Sequence, residues 1–370
     1  MNKPIWYLLL LLPLLMACEP DPETGTPEEP DTKPKDRLMY LATEGVSPTG
    51  ISELHQYNFT TGELERSIYR KRNLVELGSQ LSDLYFDAET QSILALLPQN
   101  EFLRVMDAAT LELKKTMLDI QRGNDMLRAD QNSLYISSEK VDGIYVISRN
   151  WQVREEIPTG VNPTAMLKTR DMVFITNSGN AAKDDSTVTI LDARMDTIMG
   201  EILTNIAPNS MVVDENDFLY VLCSGDFNSQ NPVQSGVGSL HRYHLDSIQR
   251  QLDSNEVITA DTVLYFSDNQ IRPNNLTLGG QGQFLYFLGN QPGAIYNQPT
   301  YDPFLNETPL VNGRFNRIYY DEATEQILSL TQPRQEDKKP GNLNFYSAIG
   351  QLEQSVILGI KPRDLVIPPR

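Results

Sequence analysis

The chain is organised by a two-part unit that recurs along most of its 370 residues. Pro208 to Gly225, PNSMVVDENDFLYVLCSG, shows the unit most plainly. Met211-Val212-Val213 is an apolar run, Asp214 to Asp217 a turn, Phe218 to Leu222 a second run, and Ser224-Gly225 a stop. Short β-branched and aromatic runs bounded by Asn, Asp and Gly read as strands joined by turns. The first half recurs from Leu81, Asn124, Pro163, Pro208, Pro273, Phe315 and Pro362 (LSDLYFD, NDMLRAD, PTAMLKT, PNSMVVD, PNNLTLG, FNRIYYD, PRDLVIP). Each copy is a polar pair followed by Leu, Met or Ile. The second half recurs from Leu38, Ser92, Ser133, Met172, Phe218, Phe284 and Gln326, with starts 39 to 66 residues apart.

A repeat of roughly 40 residues made of about four strands is the unit of a β-propeller, which carries about 4–8 of them. Helical repeats of that period need apolar residues at three-to-four spacing over ten or more positions, a pattern absent here. The order of the halves predicts closure. The Leu38 copy has no first half before it, and the Pro362 copy has no second half after it. The expectation is therefore an all-β chain. Residues 38–370 form a seven-bladed β-propeller whose ring is closed by the C-terminal strand, Arg363 to Pro368, joining the N-terminal blade. Closure removes the exposed sheet edges that an open array would leave.

Residues 1–17 read as a secretory signal: Lys3, then the apolar run Ile5 to Met16, too short to span a bilayer as a stable helix. Leu15-Met16-Ala17-Cys18 resembles a bacterial lipobox. Cys18 is then the lipidated first residue of the mature protein, held to a membrane through its acyl chains. Residues 18–37, rich in Pro and acids, form a tether that cannot bury a core. The net charge of −18 argues against nucleic acid and anionic headgroups as partners. Only two cysteines exist, so disulfides are not expected, and Cys223 reads as a small core residue at a strand end.

Candidates for chemistry are few. Of His55, His241 and His244, the last two sit three apart on one strand and so face opposite ways. Asp184-Asp185 reads as a solvated loop pair. No spacing suggests a metal site, and neither a metal nor a cofactor is expected. The polar pairs are more informative, because inner-strand starts ring one mouth of a propeller. They are Ser82, Asn124, Thr164, Asn209, Asn274, Asn316 and Arg363, with the neighbours Asp83, Asp125, Ala165, Ser210, Asn275, Arg317 and Asp364. Turn chemistry and ligand contact both account for Asn, Asp and Pro there. Loops between second and third strands open on the same face, and Thr176–Thr187, Cys223–Ser239 and Gly289–Asn312 are long. Aromatics beside amides suit a flat polar ligand through stacking and hydrogen bonds. The expected ligand residues are Asn124, Asn209, Arg272, Asn274, Tyr296, Tyr301, Asn316, Arg317 and Arg363. Asp246 to Ala260 reads as an insertion between the outer strands of the fifth blade.

Phe174-Ile175-Thr176-Asn177 and Thr187 to Asp192 resemble the YVTN repeat and its following "TVSVID" strand. With the lipobox and acidic tether, the chain is similar to YVTN-type (YncE-like) surface lipoproteins of Bacteroidota. That resemblance implies an outer-membrane, outward-facing lipoprotein that captures a small-molecule nutrient and passes it to a TonB-dependent outer-membrane transporter. Some such proteins capture corrinoids such as vitamin B12, which makes a corrinoid the leading expectation. No catalytic residues and no enzymatic activity are expected. The alternatives are a protein-interaction scaffold, or a lactonase- or lyase-type enzyme using Asp83, Asp125 and Asp364.

Overall fold

The structure is a computed structural model that describes residues 36–44, 50–225, 236–290, 292–333 and 339–369. The signal segment, Cys18 and the tether up to residue 35 lie outside the described residues. Arg37 begins the compact unit. It is buried, pairs with Asp321 and lies 4.3 Å over the Phe59 ring.

The described chain is built almost wholly of antiparallel strands. In order they are β1 (Leu38–Glu44), β2 (Ile51–Asn58), β3 (Leu64–Glu65), β4 (Gly78–Ser79), β5 (Asp83–Asp87), β6 (Ser92–Leu97), β7 (Phe102–Asp107) and β8 (Leu113–Leu118). Then come β9 (Gly123–Arg128), β10 (Ser133–Ser138), β11 (Gly143–Ser148), β12 (Val153–Pro158), β13 (Pro163–Thr169), β14 (Met172–Asn177), β15 (Thr187–Asp192) and β16 (Thr197–Leu203). The rest are β17 (Pro208–Val213), β18 (Phe218–Cys223), β19 (Ser239–His244), β20 (Thr262–Tyr265), β21 (Asn274–Gly279), β22 (Phe284–Leu288), β23 (Gly293–Pro299), β24 (Val311–Asp321), β25 (Gln326–Thr331), β26 (Gly341–Ser347), β27 (Leu352–Gly359) and β28 (Pro362–Val366). Two helices interrupt them, α1 (Ile68–Asn73) and α2 (Leu245–Asp253).

β5–β8, β9–β12, β13–β16 and β17–β20 are separate four-stranded sheets. β21 to β27 form one sheet, because the long β24 pairs with β23 through its first residues and with β25 from Phe315 onward. β28 pairs antiparallel with β1, Leu41 opposite Leu365, and joins the sheet of β1 to β4. Every copy of the sequence repeat maps onto two of these strands. The first half supplies an inner strand, and the second half supplies the strand beside it.

Packing explains the sequence pattern. Second strands such as β6, β10 and β14 are buried along their whole length. Sheets stack on both of their faces, so a continuous apolar run is required. Leu94, Leu96 and Val105 of one sheet meet Met126, Leu134 and Ile136 of the next, and Met39 and Leu41 meet Leu328 and Leu343. Outer strands such as β12 have mostly exposed residues and alternate poorly. The insertion after β19 forms α2, which buries Leu245 and Ile248 against the core beside β15 and β18. The inner strands β28, β5, β9, β13, β17, β21 and the second half of β24 contact one another in that order, and β24 in turn contacts β28. Several of them follow a residue in the left-handed region: Gln80, Arg122, Asn162, Ala207 and Lys361 have φ of 46° to 59°.

Candidate functional site

Where the inner strands begin, their side chains enclose a polar cavity of about 540 Å³. Its wall includes Asp83, Asn124, Asp125, Thr164, Asn209, Ser210, Asn274, Asn275, Arg317 and Tyr319. Six of the seven polar pairs bond the next inner strand, through one residue or both. The first residue, where it is Asn124, Asn209 or Asn316, reaches the carbonyl that opens that strand. Asn124 Nδ2 donates to Pro163 O (2.8 Å), Asn209 Nδ2 to Pro273 O (3.0 Å) and Asn316 Nδ2 to Pro362 O (3.2 Å). In five pairs the second residue accepts a backbone N–H of that strand. Asp364 Oδ2 accepts from Leu84 N (2.9 Å), Asp83 Oδ2 from Met126 N (3.1 Å) and Asp125 Oδ2 from Met166 N (2.6 Å). Ser210 Oγ accepts from Leu276 N (3.2 Å) and Asn275 Oδ1 from Ile318 N (2.6 Å). Proline suits the opening position because its carbonyl is used and an N–H is not needed. The polar pairs are thus neither plain turn residues nor free ligand contacts. At six of the seven junctions they staple one inner strand to the next and so help to fix the cavity wall.

Charge gathers on one arc. Arg317 Nε lies 2.9 Å from Asp364 Oδ1, and its guanidinium is 3.9 Å from Asp83. Burial, then the Asp125 and Asp364 charges, push the Asp83 carboxyl well above the usual range. Burial raises Asp125 to about 6, against the pull of the Met166 N–H and Arg317. The Asp364 carboxylate holds Arg317 firmly charged. Tyr319, two residues along β24 from Arg317, is 40% exposed and lines the same cavity, and burial raises its phenol. Alternation on a strand puts Arg317 and Tyr319 on one side. Tyr319 was not among the residues expected from sequence, although that two-residue spacing was there to read.

Four expected ligand residues take other places. Tyr296 is not on a loop. The segment Gly289–Asn312 contains β23, and Tyr296 on it is 8% exposed, stacked on Phe287 at 5.4 Å. A Cβ on Gly289 would lie 2.4 Å from the Tyr296 ring, so the glycine makes room for it. Tyr301, highly exposed, follows the end of β23, away from the mouth, and lines a small cleft with Arg242. Arg363 is drawn to buried Glu44 (2.7 Å), and Arg272 donates to the carbonyls of Ser224 (3.1 Å) and Gly236 (2.9 Å). Both arginines brace chain segments, because a buried carboxylate or unpaired carbonyl is the stronger claim on a guanidinium. Asn124, Asn209, Asn274 and Arg317 line the cavity, and Asn316 ties β24 to β28.

The other titratable candidates are structural. His55 bonds Thr43 Oγ1 (2.8 Å) and accepts from Ser67 N (3.1 Å), and burial lowers it to about 4. It lines a second cavity of about 400 Å³ beside Arg66, Tyr69 and Leu358, where its nitrogens are spent holding β1 and the start of α1. His241 is also lowered to about 4 by burial, whereas His244 caps α2. Burial pushes the Cys223 thiol up to about 12. Asp185 accepts from Val161 N and Thr187 N, bracing its own loop.

No family model and no curated protein sequence matches the chain. Solved structures do. A quinonprotein alcohol dehydrogenase-like protein from Bacteroides thetaiotaomicron has a TM-score of 0.65 at 13% identity, covering 90% of this chain and 78% of that one. A proposed 6-phosphogluconolactonase from Bacteroides fragilis has a TM-score of 0.64 at 12% identity, covering 92% and 100%. The β-propeller domain of Myceliophteria thermophila Cps50 (Swd1) has a TM-score of 0.58 at 12% identity, covering 84% and 93%. At such identities the likeness is one of fold alone: the chain folds as a β-propeller.

Proposed function

We propose that the chain is a capture protein whose propeller mouth binds a small polar nutrient without transforming it. The reading takes the sheet of β21 to β27 as two blades sharing β24, which makes seven blades in a ring closed by β28 on β1. It also keeps the lipid anchor at Cys18, the outward-facing position on the outer membrane and a TonB-dependent transporter as the partner that receives the ligand. A corrinoid is the first ligand to try, and it would lie across the rim, being larger than the cavity.

The observation that carries this reading is the preformed polar cavity of about 540 Å³. Ligand pockets span about 300–1,000 Å³ and are largely built before the ligand arrives. Stapling six of the seven inner strands to the next achieves that here, because many wall side chains are held by bonds to the scaffold. Two measurements test the proposal. The full chain, purified in mild detergent from outer membranes, should carry a stoichiometric TonB-dependent barrel. Calorimetry with corrinoids and other nutrients should show binding that Tyr319→Ala weakens. Recovery of the chain from the inner membrane, or binding indifferent to Tyr319→Ala, would refute it.

A further inference from the structure

The carboxylates at the mouth exceed what the architecture asks for. The inter-strand staple needs only an acceptor. Ser210 and Asn275 supply one without charge, to Leu276 N and Ile318 N. Asp83, Asp125 and Asp364 do the same work with carboxyl groups. A carboxylate taken out of water costs more than an amide or hydroxyl in the same place, and the upward shifts of Asp83 and Asp125 record that cost. Three ionisable acids where neutral groups suffice call for a second reason.

Compensation inside the protein is incomplete. Among the described lining residues the acids are Asp83 and Asp125 and the one cation is Arg317, which is already engaged by Asp83 and by the buried Asp364 behind the wall. The neutral lining points the same way. The amide donors of Asn124 and Asn209 are spent on Pro163 O and Pro273 O. Asn274 spends its donor on Arg272 O, while its buried Oδ1 has no hydrogen-bond partner. The amide donors of Asn124, Asn209 and Asn274 are thus committed to the scaffold. Tyr319 adds a partly exposed aromatic face, the surface on which organic cations rest. Among the described residues no three His, Cys, Asp or Glu are arranged to hold a metal ion.

We propose that the mouth selects an organic cation of the amine class, rich in hydrogen-bond donors, and turns away phosphorylated and carboxylate ligands. This rests on the mouth being the capture site. An ammonium would complete the charge balance beside Asp83 and Asp125, whereas an anion would meet these two acids and a guanidinium already in use. A corrinoid meets the donor half of the demand with its amide side chains and not the charge half.

The test is calorimetry on the full chain in detergent at pH 7, where glucosamine is mainly the ammonium form and Asp125 mainly the carboxylate, with glucosamine, glucose, glucose 6-phosphate and methylammonium. We expect glucosamine to bind at least about tenfold more tightly than glucose, a difference of about 1.4 kcal/mol, and glucose 6-phosphate to bind more weakly than either. Asp125→Asn, which keeps the acceptor for Met166 N, should fold and erase most of that preference, as should lowering the pH to 5. Equal binding of glucose and glucosamine, abolished by Tyr319→Ala, overturns the charge preference and leaves capture standing. Tighter binding of glucose 6-phosphate does the same. Binding unaffected by both variants overturns capture at the mouth. Failure of glucosamine and methylammonium alike overturns the proposal.

Discussion

Two arcs of the mouth perform one structural task with different chemistry. On the first, Asp83, Asp125 and Asp364 accept a backbone N–H of the following inner strand; on the second, Ser210 and Asn275 do. Between them Ala165 has no side-chain acceptor to offer Met211. The backbone tolerates an anion, an amide, a hydroxyl or nothing. Architecture therefore does not dictate the residue at this station. The carboxylate arc carries information that the amide arc lacks.

The sharpest break is Arg317→Met. It leaves Asp83 and Asp364 without their cation and should cost about 3 kcal/mol at pH 8. Part of that loss should be recovered at lower pH, because burial and neighbouring charges push the Asp83 carboxyl well above the usual range. Urea unfolding at the two pH values reads it, and an equal loss at both would show that the guanidinium acts by packing alone. Next is Ser210→Asp, which moves an anion to the neutral arc. It should destabilise by about 2 kcal/mol at pH 8 and strengthen binding of glucosamine. No change in either would mean that the two arcs are equivalent.

Asp125→Asn should act in the opposite direction. The folded carboxyl, at about 6, lies above its ordinary value of 3.8. Its contribution to stability is therefore full below about 4 and is lost as pH rises through 6. The variant should be flatter with pH and about 1–2 kcal/mol more stable at pH 8, as measured by urea midpoints from pH 4 to 8. The smallest effect is expected from Ala165→Ser, which offers Met211 N an acceptor and should add about 0.5–1 kcal/mol. Amide exchange at Met211, slowed in the variant, checks it.

The mouth was half legible. Seven polar pairs at one place in a repeat announce a ring, and six of them contribute to the cavity wall. Their task was not legible, because Asn, Asp and Pro before a strand read equally well as turn chemistry. The left-handed Ala207 and Lys361 ahead of β17 and β28 also gave no signal, since neither is the Gly or Asn that usually marks such a site. Tyr296 misled for a related reason. Its neighbours Asn, Gln and Pro look like a loop, yet β23 holds it because Phe287 offers a face to stack on.

The sequence by itself determined the repeat, the strands, the continuous burial of the second strands and the inserted segment that becomes α2. These follow from local apolar periodicity and turn residues, which act over a few positions. Only the tertiary structure decided which side chains face the mouth. Arg363 turns away from it because the buried Glu44, 319 positions distant, draws both its guanidinium and the Lys361 ammonium. It likewise decided that β24 serves two neighbours and that Asp83 meets Arg317. Ion pairing and sheet pairing depend on distance in space, and the fold alone sets that distance.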